Sequence, residues 1–307
     1  MRVVGPDAIR AMATPDLVIP TVRRALIDHA RGRVTSPPPG YLSFTDPPGD
    51  CHIKFGRAQA SDLFVIKVAT SFYDNPRRGL ASSNGLMLVL SAQTGAPLAL
   101  LADEGWLTDT RTAAAGALAV EACMPGGAEV LGVLGAGTQA ALQARWICAH
   151  NSLATVVIWS RALSAAQRLA GELQAAGLNA TAVDSPAQVA ARSDVLVTCT
   201  PSRSPLLQVN ELGKVRLIIA MGADTPGKRE LDPALIDRAD RIVCDDIANC
   251  LDHGEIQGRD IPSSKLETLG SLFDNPKNTS ARLVVVDLTG LPAQDIAVAS
   301  EVYLRSI

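Results

Sequence analysis

The stretch "VLGVLGAGTQAALQARW", residues 130–146, runs from an apolar strand-like segment through a glycine bend into alanine-rich helix formers. Gly135, Gly137 and Ala140 fill the three small-residue positions of G-x-G-x-x-G/A. The first allows a tight turn, the second lets backbone N–H groups approach an anion, and the third lets the helix pack on the strand. Unpaired N–H groups at a helix start suit phosphate. The bend therefore predicts a phosphate-bearing ligand held over Gly135, Gly137, Thr138 and Gln139.

What surrounds the bend makes that ligand a dinucleotide. From residue 129 onward, apolar strand-like runs, "TVVIWSR", "SDVLVTCT", "VRLIIAMGAD" and "RIVCDDI" among them, alternate with amphipathic helical stretches in repeated strand-helix units. That texture signals a parallel sheet covered on both faces, a doubly wound (Rossmann) domain. An acid closing the second strand would hydrogen-bond the ribose 2′-OH of NAD. "TVVIWSR" closes instead on Ser160 and Arg161, which can donate to a 2′-phosphate, so NADP(H) is favoured over NAD(H). The alternative is that Arg161 is ordinary surface charge.

Composition narrows the partners. The 307 residues carry a formal net charge of -3, without the Lys/Arg runs that nucleic acid or an anionic membrane would call for. The first 33 residues lack the apolar core and cleavage pattern of a secretory signal. No later run reaches spanning length. A cytoplasmic protein with a small-molecule substrate is expected. Cys51, Cys123, Cys148, Cys199, Cys244 and Cys250 are scattered without a C-x-x-C pair, which reads as reduced thiols and no metal site.

The segment before the bend has a different texture. Thr14, Pro15 and Asp16 open a helix over about 15–32. "RVTSPPPGYLSFTDPPGD" (33–50) reads as a loop without regular pattern, and "CHIKFGRAQASDLFVIKVAT" (51–70) as two short strands joined by a turn. Two more strands flank "SAQTGAP", followed by a helix expected to begin near Thr110 or Arg111. "MPGGA" (124–128) reads as a linker. The expected organisation is a smaller α/β domain over 1–122, completed by a helix at about 292–307, and the doubly wound domain over 123–291.

Taken together, "GAGTQA", "LTDTRTAAAGALA", "TCTPSRSPLL", "GADTPGKREL" and "DLTGLPAQDIAVA" resemble the ornithine cyclodeaminase and mu-crystallin family, in order and spacing from about residue 65 to 300. The resemblance implies a two-domain fold whose smaller domain binds substrate and dimerises, a nicotinamide cofactor, and a homodimer with a second copy of the chain as partner. It assigns Lys67 and Arg111 to the substrate carboxylate and Asp224 to proton transfer. It places Ser82, Thr112, Thr200, Pro201, Met221 and Thr289 along the cofactor. Many members of that family carry an arginine in a segment like "PPRT", where this chain has "PPPG". Lys54 in "HIKFG" is the candidate replacement, the alternative being that it snorkels to solvent.

The residue types support the same chemistry. An α-imino acid presents a carboxylate, which needs fixed cations, and a carbon beside nitrogen, which can exchange hydride with a nicotinamide. A lysine inside "FVIKVAT" is costly to bury without a partner. Asp224 follows an apolar strand at the edge where ligands of open α/β sheets gather; otherwise it is a turn residue before Pro226. Reduction of a cyclic imine such as pyrroline- or piperideine-2-carboxylate fits, and so does cyclodeamination of ornithine. An alanine-dehydrogenase-like enzyme and a non-catalytic binder are the remaining readings.

Overall fold

The computed structural model describes residues 1–72, 74–276 and 281–307. The chain divides into two compact units, residues 1–112 with 291–307, and residues 113–290.

The first unit opens with β1 (Arg2–Val4), α1 (Pro6–Met12) and α2 (Pro15–Ala30), followed by β2 (Val34–Thr35), β3 (Gly40–Thr45), β4 (Pro48–Ala58), β5 (Leu63–Phe72), β6 (Ser83–Ser91) and β7 (Pro97–Leu101). These strands form one sheet in the order β1-β7-β6-β5-β4-β2, with β3 also paired to β4. Only β1 runs parallel to its neighbour. The segment 33–50, expected as a loop, contains β2, β3 and the start of β4. Prolines flank β3 without interrupting it, and Tyr41 to Phe44 pair antiparallel with Gly49 to His52. An edge strand tolerates such neighbours because its outer N–H groups need no partner strand.

The next helix, α3 (Trp106–Cys123), begins earlier than expected. The Asp103 carboxylate accepts a hydrogen bond from Leu107 N at 2.8 Å and so satisfies a first-turn donor. Residues 106–112 of α3 fall in the first unit and the rest in the second, so the change of unit comes inside this helix, ahead of the Met-Pro-Gly-Gly segment.

The second unit continues with β8 (Val130–Leu134), α4 (Thr138–Asn151), β9 (Thr155–Trp159), α5 (Leu163–Ala175), β10 (Asn179–Ala182), α6 (Pro186–Arg192), β11 (Val195–Thr198), β12 (Leu217–Ala220), α7 (Pro233–Arg238), β13 (Arg241–Cys244), α8 (Ile247–His253), β14 (Leu266–Thr268), α9 (Leu269–Asp274) and β15 (Val284–Asp287). Its strands order as β10-β9-β8-β11-β12-β15-β13-β14, all in parallel pairs. The central strands are buried on both faces, as continuous Val/Ile/Leu runs require. The order reverses between β8 and β11, which puts the glycine bend at the switch point of a doubly wound sheet.

From β15 the chain returns to the first unit as α10 (Pro292–Ser306). This helix packs on α2 and across β4, β5 and β6, burying Ala293, Ile296, Val298, Ala299 and Val302. Among the described residues no helix is long and apolar enough to cross a membrane.

Candidate active site

Pleating sorts the residues of β5. Leu63, Val65 and Lys67 point to the covered face and are buried, whereas Phe64, Ile66 and Val68 are half-buried on the other. Lys67 is thereby carried into the interior at 2% exposure. The antiparallel register sets Lys54 of β4 directly opposite it, and residues so paired share a face. Arg111, on the second turn of α3, is 7% exposed.

The counter-ion to this cluster is Asp295 on the first turn of α10. One of its oxygens lies 2.7 Å from Lys67 Nζ and the other 3.0 Å from Arg111 Nε. Arg111 Nη1 also donates to Gln294 Oε1 at 3.1 Å. Among the described residues no further acceptor meets the Arg111 guanidinium. Nε and Nη1 are therefore held by α10, while the Nη2 protons and the second Nη1 proton remain able to donate to a ligand. A guanidinium held this way can take a carboxylate through two parallel hydrogen bonds.

The electrostatics follow from burial. Removal from water lowers the Lys67 pKa from 10.5 to about 7; Asp295 opposes that shift, while Arg111 and Lys54 add to it. Burial likewise opposes ionisation of Asp295, but Lys67 and Arg111 outweigh it and hold its carboxyl below the ordinary range. Leaving such a buried charge unpaired costs about 3 to 5 kcal/mol. Lys67 consequently holds a proton it can release near neutrality, a property useful for proton exchange as well as for binding.

In the second unit the glycine bend forms a cradle. Gly135 has φ +135° and a Cβ there would stand 3.0 Å from the carbonyl oxygen and Sγ of Cys199, so the position requires glycine. Gly137 is the N-cap of α4, and a Cβ on it would meet nothing within 4 Å. The space above Gly137 is open, and the cap has no side chain to engage the first-turn N–H groups of Thr138 and Gln139. That arrangement fits a dinucleotide pyrophosphate. Ser160 and Arg161 lie just beyond β9, and the exposed Arg161 has no ion-pair partner among the described residues.

The loops after β11 and β12 are fastened together by Glu230, which is fully buried. Its carboxylate accepts hydrogen bonds from Thr198 Oγ1 at 2.7 Å, Thr200 N at 2.6 Å, Thr200 Oγ1 at 2.7 Å and Gly222 N at 2.8 Å. Burial raises the Glu230 pKa against those hydrogen bonds. Pro201, Met221 and Asp224 ride on these loops. Asp224 is exposed, with Oδ1 2.7 Å from Lys228 Nζ. The Thr289 hydroxyl donates to Asp245 Oδ1 at 3.0 Å, and Gly290 N donates to Oδ2 of the same residue at 2.6 Å. Ser82 and Thr112 belong to the first unit, where Thr112 Oγ1 donates to the Thr108 carbonyl within α3.

Within the first unit, then, Lys54, Lys67 and Arg111 come together. Within the second, the bend residues, Thr200 and Met221 share the carboxyl edge of one sheet. Asp295, Gln294 and Glu230 were not foreseen. Asp295 stands in the "PAQD" start of a helix, where an acid also serves the helix dipole, and Glu230 stands in a loop rich in charge. The one available signal was that both lie inside the motifs "DLTGLPAQD" and "GADTPGKRE".

Residues 7–306 match the model of the ornithine cyclodeaminase/mu-crystallin family. The chain is 35% identical over 310 residues to a protein of Sinorhizobium fredii named an uncharacterised cyclodeaminase, covering 98% of this chain and 88% of that one. Among solved structures, it superposes on an archaeal alanine dehydrogenase dimer with bound NAD at a TM-score of 0.90 and 29% identity, covering 100% and 96% of the two chains. It also superposes on the iminosuccinate reductase of Paracoccus denitrificans in complex with NAD+ at a TM-score of 0.86 and 32% identity, covering 98% and 95%. Other matching proteins are named as pyrroline-2-carboxylate and ketimine reductases.

Proposed function

Because the chain belongs to the ornithine cyclodeaminase/mu-crystallin family, we propose that it is a nicotinamide-dependent reductase of α-imino acids, acting on cyclic imines of the pyrroline- or piperideine-2-carboxylate type to give the L-amino acid. The observation that carries this reading is the buried Arg111, whose Nε and Nη1 are fixed by Asp295 and Gln294 and whose remaining N–H groups meet no acceptor among the described residues. A planar carboxylate is the ligand such a fork suits best.

The nicotinamide, when bound, supplies the hydride that the imine carbon accepts. This chain's residues do the rest. Gly135 to Gln139 would hold the pyrophosphate, and Ser160 and Arg161 would favour the 2′-phosphate of NADP(H). Lys67 and Arg111 would orient the carboxylate, with Lys54 adding to the positive field. Asp224 is assigned the proton that the nitrogen gains, with Lys67 as the other group able to exchange one near neutral pH. Ser82, Thr112, Thr200, Pro201, Met221 and Thr289 remain assigned to the cofactor's surroundings.

We read the chain as a homodimer. The outer face of the first unit's sheet leaves Leu42 at 58%, Phe44 at 39%, and Ile53 and Phe55 each at 40% exposure, and the register sets these side chains on one face. A continuous apolar face of this kind marks a protein contact.

Cyclodeamination of ornithine is the second reading, favoured by the name of the 35% identical relative. A substrate panel followed at the nicotinamide absorbance band separates the two. Steady oxidation of NADPH or NADH by a cyclic imine supports the reductase. Ammonia release from ornithine without net absorbance change supports the cyclodeaminase, and inertness toward all imino and diamino acids would refute both.

A further inference from the structure

We propose that Asp295 is a positioning residue, which locks Lys67 and Arg111 into a single carboxylate-receiving unit, and that Gln294, by holding Nη1, fixes how the guanidinium is turned toward the ligand. The proposal rests on the reading of Lys67 and Arg111 as the substrate anchor. Its support is geometric. Lys67 comes from β5, Arg111 from α3, and Asp295 from α10, three elements distant in sequence, and each carboxylate oxygen takes one cation. Lys67, Arg111 and Asp295 are at most 7% exposed, so none can exchange its partner for water without leaving its place.

The two cations alone would repel one another, and each has long rotamers leading away from the other. A carboxylate between them replaces that repulsion with a charge-assisted hydrogen bond from Arg111 and a 2.7 Å ion pair with Lys67. Gln294 completes the restraint. Its Oε1 accepts from Arg111 Nη1, while its buried Nε2 has no partner among the described residues, so this amide is spent on a single task. The helix that carries both groups is itself seated tightly: a Cβ on Gly56 of β4 would stand 2.9 Å from Ile296 Cδ1. A carboxylate one residue before Ile296 therefore has little freedom to drift.

A mere neutralising role and a positioning role make different predictions. Asp295→Asn retains the shape, but its amide nitrogen must face one of two donors, so one cation loses its restraint. The imine KM should rise on the order of ten- to a hundredfold, with a smaller change in kcat and unchanged dissociation constants for the cofactor. Asp295 opposes the loss of the Lys67 proton, so the pH limb reporting that proton should also move to lower pH. An Asp295→Asn enzyme with wild-type KM and an unmoved limb overturns the proposal, whatever its thermal stability. Should that variant fail to fold, Gln294→Ala, which removes no charge, should still raise KM several-fold, and a wild-type KM there overturns the proposal equally. Arg111→Ala separates this outcome from failure of the underlying reading: if its KM is also unchanged, Arg111 is not the anchor, and the reading falls first.

Discussion

Lys54 and Lys67 stand directly opposite one another across β4 and β5, two like charges on the covered face of one sheet. Burial, then Arg111 and Lys54, depress the Lys67 pKa to about 7 against the pull of Asp295. Replacing Lys54 by glutamine removes one depressing charge, so the Lys67 proton should be held to higher pH. In kcat/KM profiles the corresponding limb should move up. The sign for stability is also fixed. Between about 7 and 10.5 an unfolded chain binds more protons at this lysine than the native one, so its contribution to stability rises with pH across that window. In Lys54→Gln the rise should begin later, as read by denaturant melts between pH 7 and 10.

Gly135 and Gly137 should respond to substitution in opposite ways. Gly137→Val introduces a side chain into open space on extended backbone, so the variant should fold and melt like wild type yet fail to bind dinucleotide in titration calorimetry. Gly135→Ala forces a side chain onto φ +135° against Cys199 and should lose about 1 to 3 kcal/mol of stability. Retained cofactor binding in folded Gly137→Val would remove the phosphate from this bend.

Arg161 tests the cofactor's ribose end. Its guanidinium has no ion-pair partner among the described residues, so Arg161→Ala should leave the fold untouched. Loss of a charge-assisted contact to a 2′-phosphate should weaken NADPH about ten- to a hundredfold and NADH hardly at all. Equal weakening of both, or a wild-type preference for NADH, speaks for ordinary surface charge.

Asp224→Asn preserves shape but removes the exchangeable proton. Turnover should fall on the order of 10² to 10⁴ while cofactor affinity stays constant. Near-normal turnover across pH would show that the carboxylate serves its contact with Lys228 and would pass the proton to Lys67.

Phe55→Glu places a charge in the apolar outer face of the first unit's sheet. Sedimentation should show the dimer giving way to monomer, with circular dichroism unchanged. A monomeric wild type would refute the dimer reading directly.

The doubly wound sheet was legible because a parallel strand buried on both faces must be continuously apolar, and Leu131 to Leu134, Val195 to Val197 and Leu217 to Ala220 satisfy that pattern. The pairing of Lys54 with Lys67 was legible as a possibility, since alternation fixes a face, and the register then made it a fact. The edge strand Gly40–Thr45 was not: prolines on both sides imitate a loop, and only its partner β4 supplies the ladder. The start of α3 was hidden for a similar reason, because the capping role of Asp103 is a matter of geometry rather than composition. Asp295 was the largest omission. Nothing local distinguishes a carboxylate that serves a helix start from one that crosses 184 positions to reach Arg111.

The return of α10 to the first unit has a consequence for synthesis on the ribosome. Residues 113–290 leave the exit tunnel before residues 291–307 do, and they form a compact unit of their own, able to acquire structure as they emerge. The first unit has no such schedule. Its strands and α3 are translated early, but Lys67 and Arg111 meet their shared counter-charge only once residue 295 emerges. Until then the nascent first unit carries two cations with no reason to enter an apolar interior. The half translated first is thus the half that matures last, and its dependence on a late-arriving helix makes that interval the one in which a chaperone would have most to protect.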